Sequence, residues 1–399
     1  MPRPRVLLLA PYLTPEHAGA AQSTITILQA LSRAAWADVT VAAYEWDDDL
    51  IPANVRRVRL LERSWPAPMW RLFPIPDYWN GLRSIREAEL GASDLCYTQS
   101  IPLGLAYRRQ HPAVPILSHP GAILWEREVM EESEAPMRWR RLQAKFARWF
   151  ERRMYHQQRW HHFVSSQLVA NIRMASFGLG SSLFEVAPLP IDPERFDPAR
   201  VTRDVREELG LSKSDFVVIT VARLVAWKRV DAVIRAIARS RQHLVLLVVG
   251  DGPDRQRLQA LASTLAVGDR VRFLGRQDPP AYLAAANLFV LPSLIESFGL
   301  VYIEAMMMGL PCIGSRYDPP AVLSAATEVI SDGDFGFCVS DEEELRARIE
   351  SLAADPQHCS ALGDRARRIA LSRFTPDAYV DHLHEVLDRY LPHATRVSQ

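Results

Sequence analysis

Two glutamates eight residues apart bracket the segment Glu296-Ser-Phe-Gly-Leu-Val-Tyr-Ile-Glu304, which follows an apolar run at residues 288–291 and the turn Pro292-Ser293. Read as a helix start, this spacing puts Glu304 about 80° around the helix from Glu296, so both carboxylates can address one ligand. The first-turn N–H groups of Phe298, Gly299 and Leu300 then lack intrahelical acceptors and can hold an anion or a hydroxyl. The bland alternative is a helix-start acid favoured by the dipole and a solvated surface glutamate.

A second group is Val221-Ala-Arg223-Leu-Val-Ala-Trp-Lys228-Arg-Val-Asp231. Here an apolar strand pattern ends at Arg223 and a helix is expected near Lys228, so both cations project from the carboxyl edge of a sheet. Open α/β sheets bind ligands at that edge, and two fixed cations there can stabilise a departing diphosphate without a metal. Surface charge beside a loop is the ordinary explanation for such residues. It weakens because the chain has only three lysines, Lys145, Lys213 and Lys228, and one stands in this loop.

His119, in Ser118-His-Pro-Gly121, follows an apolar run at residues 115–117. A neutral imidazole there can hydrogen-bond a sugar hydroxyl or accept a proton, although a His in such a turn is often structural. The loop of residues 15–22, which contains Gly19, is a small-residue turn able to admit a phosphate or an acceptor. Gly250-Asp-Gly252-Pro253 has Arg255 where the dinucleotide fingerprint has its third glycine, so it reads better as a plain turn, which argues against a nicotinamide cofactor.

The elements that must position these groups alternate strongly. Apolar runs at residues 6–10, 39–44, 95–97, 115–118 and 162–165 are separated by amphipathic stretches in the first half. In the second half the runs are 216–222, 244–249, 271–274, 288–291 and 311–314. Such alternation predicts parallel strands with helices on both faces, and the wholly apolar strands predict burial on both sides. Four prolines between Val186 and Pro198 remove backbone donors, and the domain linker is expected there. The expected divisions are residues 1–187, 188–374 and a helical tail at 375–399.

At 399 residues and 48% hydrophobic composition, the chain can bury two ordinary cores, and disorder is not the default reading. Lysine plus arginine and aspartate plus glutamate both total 47, so no global field draws the protein to nucleic acid. Cys96, Cys312, Cys338 and Cys359 lack paired spacing, which argues against disulfides and zinc and fits a reducing cytoplasm. The N-terminal apolar run is too short for a signal peptide, and no segment reaches the roughly 18 apolar residues of a membrane span.

Together these residues resemble glycosyltransferase family 4, most strongly over residues 217–314. The resemblance implies a GT-B fold: two Rossmann-like domains facing a central cleft, with the C-terminal helix crossing back to the first. It implies a retaining, metal-independent transfer of a sugar from a nucleoside-diphosphate sugar to a hydroxyl of a sugar, lipid-linked or small-molecule acceptor. In that pattern Glu296 lies near the donor sugar and Glu304 on the ribose, while amides of Phe298, Gly299 and Leu300 address sugar and phosphate. Arg223 and Lys228 hold the diphosphate, His119 lies beside the transferred sugar, and the Gly19 loop is a further donor contact. The family often has Gly-Gly in that loop, whereas here Gly19 stands among alanines. Two other readings use the same residues: a GT-B nucleotide-sugar epimerase and a catalytically silent nucleotide-sugar-binding protein.

Residues 137–161 interleave arginines with tryptophan and phenylalanine at helical spacing. Such a helix either packs on a core or lies peripherally on an anionic membrane, which would put the protein at its inner face.

Overall fold

The computed structural model describes residues 3–14, 20–34, 36–62, 75–88, 90–91, 93–119 and 137–390. The chain divides into two compact units, Met1–Pro190 with Pro376–Gln399, and Ile191–Thr375.

In the first unit the strands of the main sheet are Arg5–Leu9 (β1), Asp38–Ala43 (β2), Arg56–Arg59 (β3), Leu95–Thr98 (β4), Ile116–Ser118 (β5), Trp160–Val164 (β6) and Phe184–Val186 (β7). They form one sheet in the order β3-β2-β1-β4-β5-β6-β7, and every pairing is parallel. Parallel neighbours need crossovers, which helices supply, among them Ala20–Ala34 (α1) and Met137–Tyr155 (α2). Helix α2 stops at Tyr155 rather than continuing to residue 161. Arg159 adopts φ 55°, and Trp160 enters β6 opposite Ile116, so the last residues of the expected helix turn into the sheet.

The second unit contains Phe216–Val221 (β8), Leu244–Val249 (β9), Val271–Gly275 (β10), Leu288–Leu291 (β11), Cys312–Ser315 (β12) and Gly336–Val339 (β13). Their order is β10-β9-β8-β11-β12-β13, again all parallel. Val217 and Ile219 of β8 pack into one apolar core, and Phe216 and Val218 into another. Both faces of the strand are covered, which is why it carries no polar alternation. Helix Val230–Arg239 (α3) follows β8, and the short helix Leu300–Met307 (α4) follows β11. Because β9 and β10 lie to one side of β8 while β11, β12 and β13 lie to the other, the strand order reverses between β8 and β11.

The last described helix, Pro376–Tyr390 (α5), belongs to the first unit and packs on α1. Tyr379, Val380, Leu383 and Val386 are buried along it. Asp377 pairs with Arg33 of α1 at 3.7 Å, and His384 stacks on Trp36 at 4.7 Å. All four cysteines are buried thiols.

Candidate active site

The carboxyl ends of β8 and β11 are neighbours at the reversal of strand order, the crevice where open α/β sheets take ligands. After β8 the chain passes Arg223 and makes a single 3₁₀ turn, Ala226–Lys228. Arg229 then turns left-handed at φ 54° before α3 begins at Val230. After β11 the chain runs through Pro292 and Ser293, and Ile295–Glu296 pairs in parallel with Leu323–Ser324. The two loops are tied together. Leu294 N donates to Trp227 O at 2.7 Å, and Lys228 Nζ donates to Glu296 Oε2 at 2.6 Å. Both charged side chains are mostly covered, with 19% and 12% exposure, so the pair is fixed yet reachable from solvent.

Glu296 is therefore not a helix-start residue. Gly299, at φ 83°, is the N-cap of α4, and the helix begins only at Leu300. The 80° relation between the two glutamates does not apply, since Glu296 sits on extended backbone. Gly299 offers no side-chain cap, which leaves the first-turn N–H groups of α4 without a side-chain acceptor. Phe298 contributes at most its backbone: its side chain is buried and meets Phe374 edge-on at 5.8 Å. Leu300 is half-buried against the same core.

A Cβ at Gly299 would overlap the Tyr302 ring and come within 3.1 Å of Glu296 Cγ. Tyr302 cannot retreat, because it is buried and donates its hydroxyl to Leu291 O at 2.5 Å. Gly299→Ala is thus expected to cost about 1–3 kcal/mol for the left-handed backbone alone. A thermal melt of the variant beside the parent protein checks it.

Glu304 is half-buried on α4, and burial pushes its carboxyl up to about 7. The Asp278 charge adds to the rise, while Arg195 opposes it. It thus lies within reach of a proton switch near neutrality. Arg223 is exposed. Its loop is anchored by Leu224 N donating to Asp251 O at 2.9 Å and Asp254 N donating to Leu224 O at 3.0 Å. A Cβ on Gly250 would overlap Ala222 O, and one on Gly252 would overlap Leu224 O. These glycines serve the close approach of two loops, consistent with a plain turn.

In the first unit His119 follows β5, and its N donates to Thr98 O at 3.0 Å. Its side chain is fully buried. Nδ1 lies 3.1 Å from the Tyr379 hydroxyl, and Phe163 packs edge-on against the ring. Burial, helped by the Arg173 charge, pulls its pKa down to about 3. A group so acidic as a cation is neutral at physiological pH and is a poor proton acceptor. Tyr379 was legible in the sequence only as one of several apolar residues at helical spacing. Gly19, Pro120 and Gly121 lie outside the described residues. Among the described residues, no group of three or more His, Cys, Asp or Glu is placed to hold a metal ion.

Residues 201–369 match the family model described as glycosyl transferases group 1. Among curated relatives, N-acetyl-alpha-D-glucosaminyl L-malate synthase of Bacillus anthracis is 34% identical over 198 residues, which is 48% of this chain and 50% of that protein. A GDP-mannose-dependent alpha-(1-6)-phosphatidylinositol monomannoside mannosyltransferase of Mycolicibacterium smegmatis is 32% identical over 218 residues, 51% and 55% of the two chains. The chain thus spans about half the length of the curated relatives it matches. Sucrose-phosphate synthase of Thermosynechococcus elongatus superposes with TM-score 0.75 at 21% identity, over 98% of this chain and 100% of that one. HepE of Anabaena, solved in complex with UDP and glucose, gives TM-score 0.71 at 20% identity, over 97% and 100%. At these identities the structural matches establish the fold. The chain has a GT-B fold, and its residues 201–369 resemble the glycosyl transferases group 1 domain.

Proposed function

We propose that the protein is a retaining glycosyltransferase that moves a sugar from a nucleoside-diphosphate sugar to an acceptor hydroxyl without a metal ion. The observation that carries this reading is the Lys228–Glu296 pair at the strand-order reversal of the second unit. A covered ammonium held against the segment that leads into α4 suits a diphosphate whose negative charge grows as the glycosidic bond breaks. Glu296 holds Lys228 in place and takes donor-sugar hydroxyls. Arg223, on the same anchored loop as Lys228, supplies the second cation, and the two together stand where a divalent metal would otherwise act. The curated relatives are named for transferring or joining sugars, which supports transfer over epimerisation or silent binding.

The acceptor attacks from the face on which the diphosphate leaves, and the departing phosphate oxygen takes the acceptor proton. His119, neutral at working pH, acts as a hydrogen-bonding group beside the sugar and not as the base. Purified protein incubated with a panel of nucleotide sugars, with and without candidate acceptors, tests the reading through nucleotide release. Acceptor-dependent release that persists in EDTA supports it. Loss of activity restored by added metal contradicts the metal-free clamp.

Glu304 is assigned to the ribose hydroxyls, which it accepts best as a carboxylate. With its pKa raised to about 7, it is protonated below that value and ionised above it. Nucleoside diphosphate affinity is therefore expected to rise as pH increases from about 6 to 8, and Glu304→Gln to flatten that profile. Calorimetric titrations across this range check it, and an unchanged profile in the variant removes the ribose role.

The acceptor side is assigned a membrane contact. The exposed face of α2 carries Arg138, Arg141, Lys145, Arg148, Arg152 and Arg153, and the helix's one acid, Glu151, is buried. Trp149 on α2 is 57% exposed, and Trp79 on helix Ile75–Glu87 is 55% exposed. Tyr78 and Phe150 join the two helices edge-on at 5.5 Å, so both indoles flank one contact. Such a surface suits the anionic inner leaflet. Among the described residues no helix is long and apolar enough to cross a membrane. The variant Arg141→Ala/Lys145→Ala is expected to lose about 2 kcal/mol, roughly 30-fold, in partition onto phosphatidylglycerol vesicles. Cosedimentation equal to that of the parent protein would rule the surface out.

A further inference from the structure

Arg229 joins the turn that carries Lys228 to the helix that follows it. Its N donates to Ala226 O at 3.2 Å, closing the 3₁₀ turn Ala226–Lys228, and its O accepts from Ala232 N at 3.0 Å in the first turn of α3. At φ 54° and ψ 34° it is left-handed, and it is one of three non-glycine residues with positive φ among the described residues. A residue with a long side chain rarely takes that conformation unless its surroundings impose it.

What imposes it lies on the helix Glu342–Ala354, which follows β13. Arg229 Nη2 donates to Glu342 Oε1 at 2.7 Å. Arg235 of α3 grips the same carboxylate through Nε and Nη2, at 2.9 Å and 2.6 Å, and its Nη2 also meets Asp231 Oδ2 at 2.6 Å. The four side chains are between 15% and 30% exposed, so the network is mostly covered. The hydrogen bond from Arg235, helped by the charges of both arginines against burial, holds the Glu342 carboxyl below the usual carboxylate range. An acid at a helix start is ordinarily explained by the dipole. Here Asp341 already caps that helix by accepting from Glu344 N at 2.8 Å, and both oxygens of Glu342 are taken by arginines. Arg229 is the member of the network that adjoins Lys228.

We propose that Glu342 is a positioning residue: by holding the Arg229 guanidinium, it keeps residue 229 in the left-handed turn from which Lys228 reaches Glu296. That Lys228 then meets a diphosphate rests on the transferase reading above, whereas its placement does not. Were residue 229 to relax to right-handed or extended backbone, the 3₁₀ turn would swing relative to α3, and the ammonium would leave its 2.6 Å contact with Glu296. All of these groups belong to one compact unit.

The test uses protein labelled with ¹³C at lysine, with the Lys228 signal assigned by its loss in Lys228→Ala. Glu342→Ala is expected to move that signal towards those of the exposed Lys145 and Lys213. It should also lower kcat roughly ten- to a hundredfold, the scale on which a small displacement in a site acts. Adding Arg229→Gly to Glu342→Ala is expected to recover most of both, because glycine takes the left-handed turn without an anchor. Helix adhesion alone would give the opposite result, since the double variant removes still more of the network. If Glu342→Ala does not fold, Glu342→Gln, which keeps the volume and one acceptor oxygen, is expected to show the same two changes at smaller size. A folded Glu342 variant with the Lys228 signal and kcat at parent values overturns the proposal. So does a loss in Glu342→Ala that Arg229→Gly fails to relieve. If the parent protein transfers no sugar, the transferase reading fails while the Lys228 signal still decides the placement.

Discussion

Lys228→Ala is expected to lower turnover by about 10² to 10³, with the fold intact, because it removes the cation fixed at the strand-order reversal. The loss has two parts. The departing diphosphate loses its ammonium, and Glu296, now unpaired at 12% exposure, opposes the incoming negative charge. The double variant Lys228→Ala/Glu296→Ala separates them. It is expected to bind nucleoside diphosphate more tightly than Lys228→Ala alone while transferring no faster, a coupling that a double-mutant cycle reads directly. Steady-state kinetics, with a thermal melt to confirm folding, are sufficient. Activity within a few fold of wild type would take Lys228 out of the mechanism.

Glu151→Ala is expected to be the most destabilising single change in the first unit, by about 3–5 kcal/mol. Glu151 and Arg173 face each other at 3.7 Å with side chains 0% and 1% exposed, and Glu151 also accepts the Tyr155 hydroxyl at 3.1 Å. Truncating the acid removes a carboxylate that faces the buried guanidinium. Replacing both partners together, as Glu151→Leu/Arg173→Met, is expected to recover most of the loss, since paired burial rarely exceeds apolar packing in net stability. Denaturant unfolding followed by tryptophan fluorescence compares the three proteins. The double variant carries a second consequence. Arg173 helps to keep His119 neutral, so its removal should raise the His119 pKa towards the ordinary imidazole range while leaving it depressed by burial.

The α/β class and the parallel sheets were legible because fully covered strands must be apolar throughout, and β1, β2, β4, β8, β9 and β11 advertise themselves as such runs. In the two large sheets, the strands that periodicity passed over are β3, β7 and β13, and each stands at a sheet edge. An edge strand is covered on fewer sides, so Arg56-Arg-Val-Arg59 can pair with β2 while keeping its arginines exposed. Lys228 was legible through rarity, in a chain that otherwise uses arginine. The start of α4 was misjudged because Gly299 moves it four residues beyond Glu296 by adopting a left-handed turn that no periodicity reports. His119 was legible as a residue and not as an environment. Its burial and its contact with Tyr379 join positions 260 residues apart, a relation that spacing along the chain does not encode.

The scarcity of lysine also gives the central claim its most direct test. Protein labelled at lysine with ¹³C has three side-chain signals to follow, from Lys145, Lys213 and Lys228, and Lys228→Ala assigns the one that matters. Titration with UDP, GDP and ADP is expected to find at least one that shifts the Lys228 signal saturably, with Lys145 and Lys213 unmoved. If a nucleoside diphosphate binds, as calorimetry records, while the Lys228 signal stays in place, the diphosphate does not sit at the reversal between β8 and β11, and the account is contradicted.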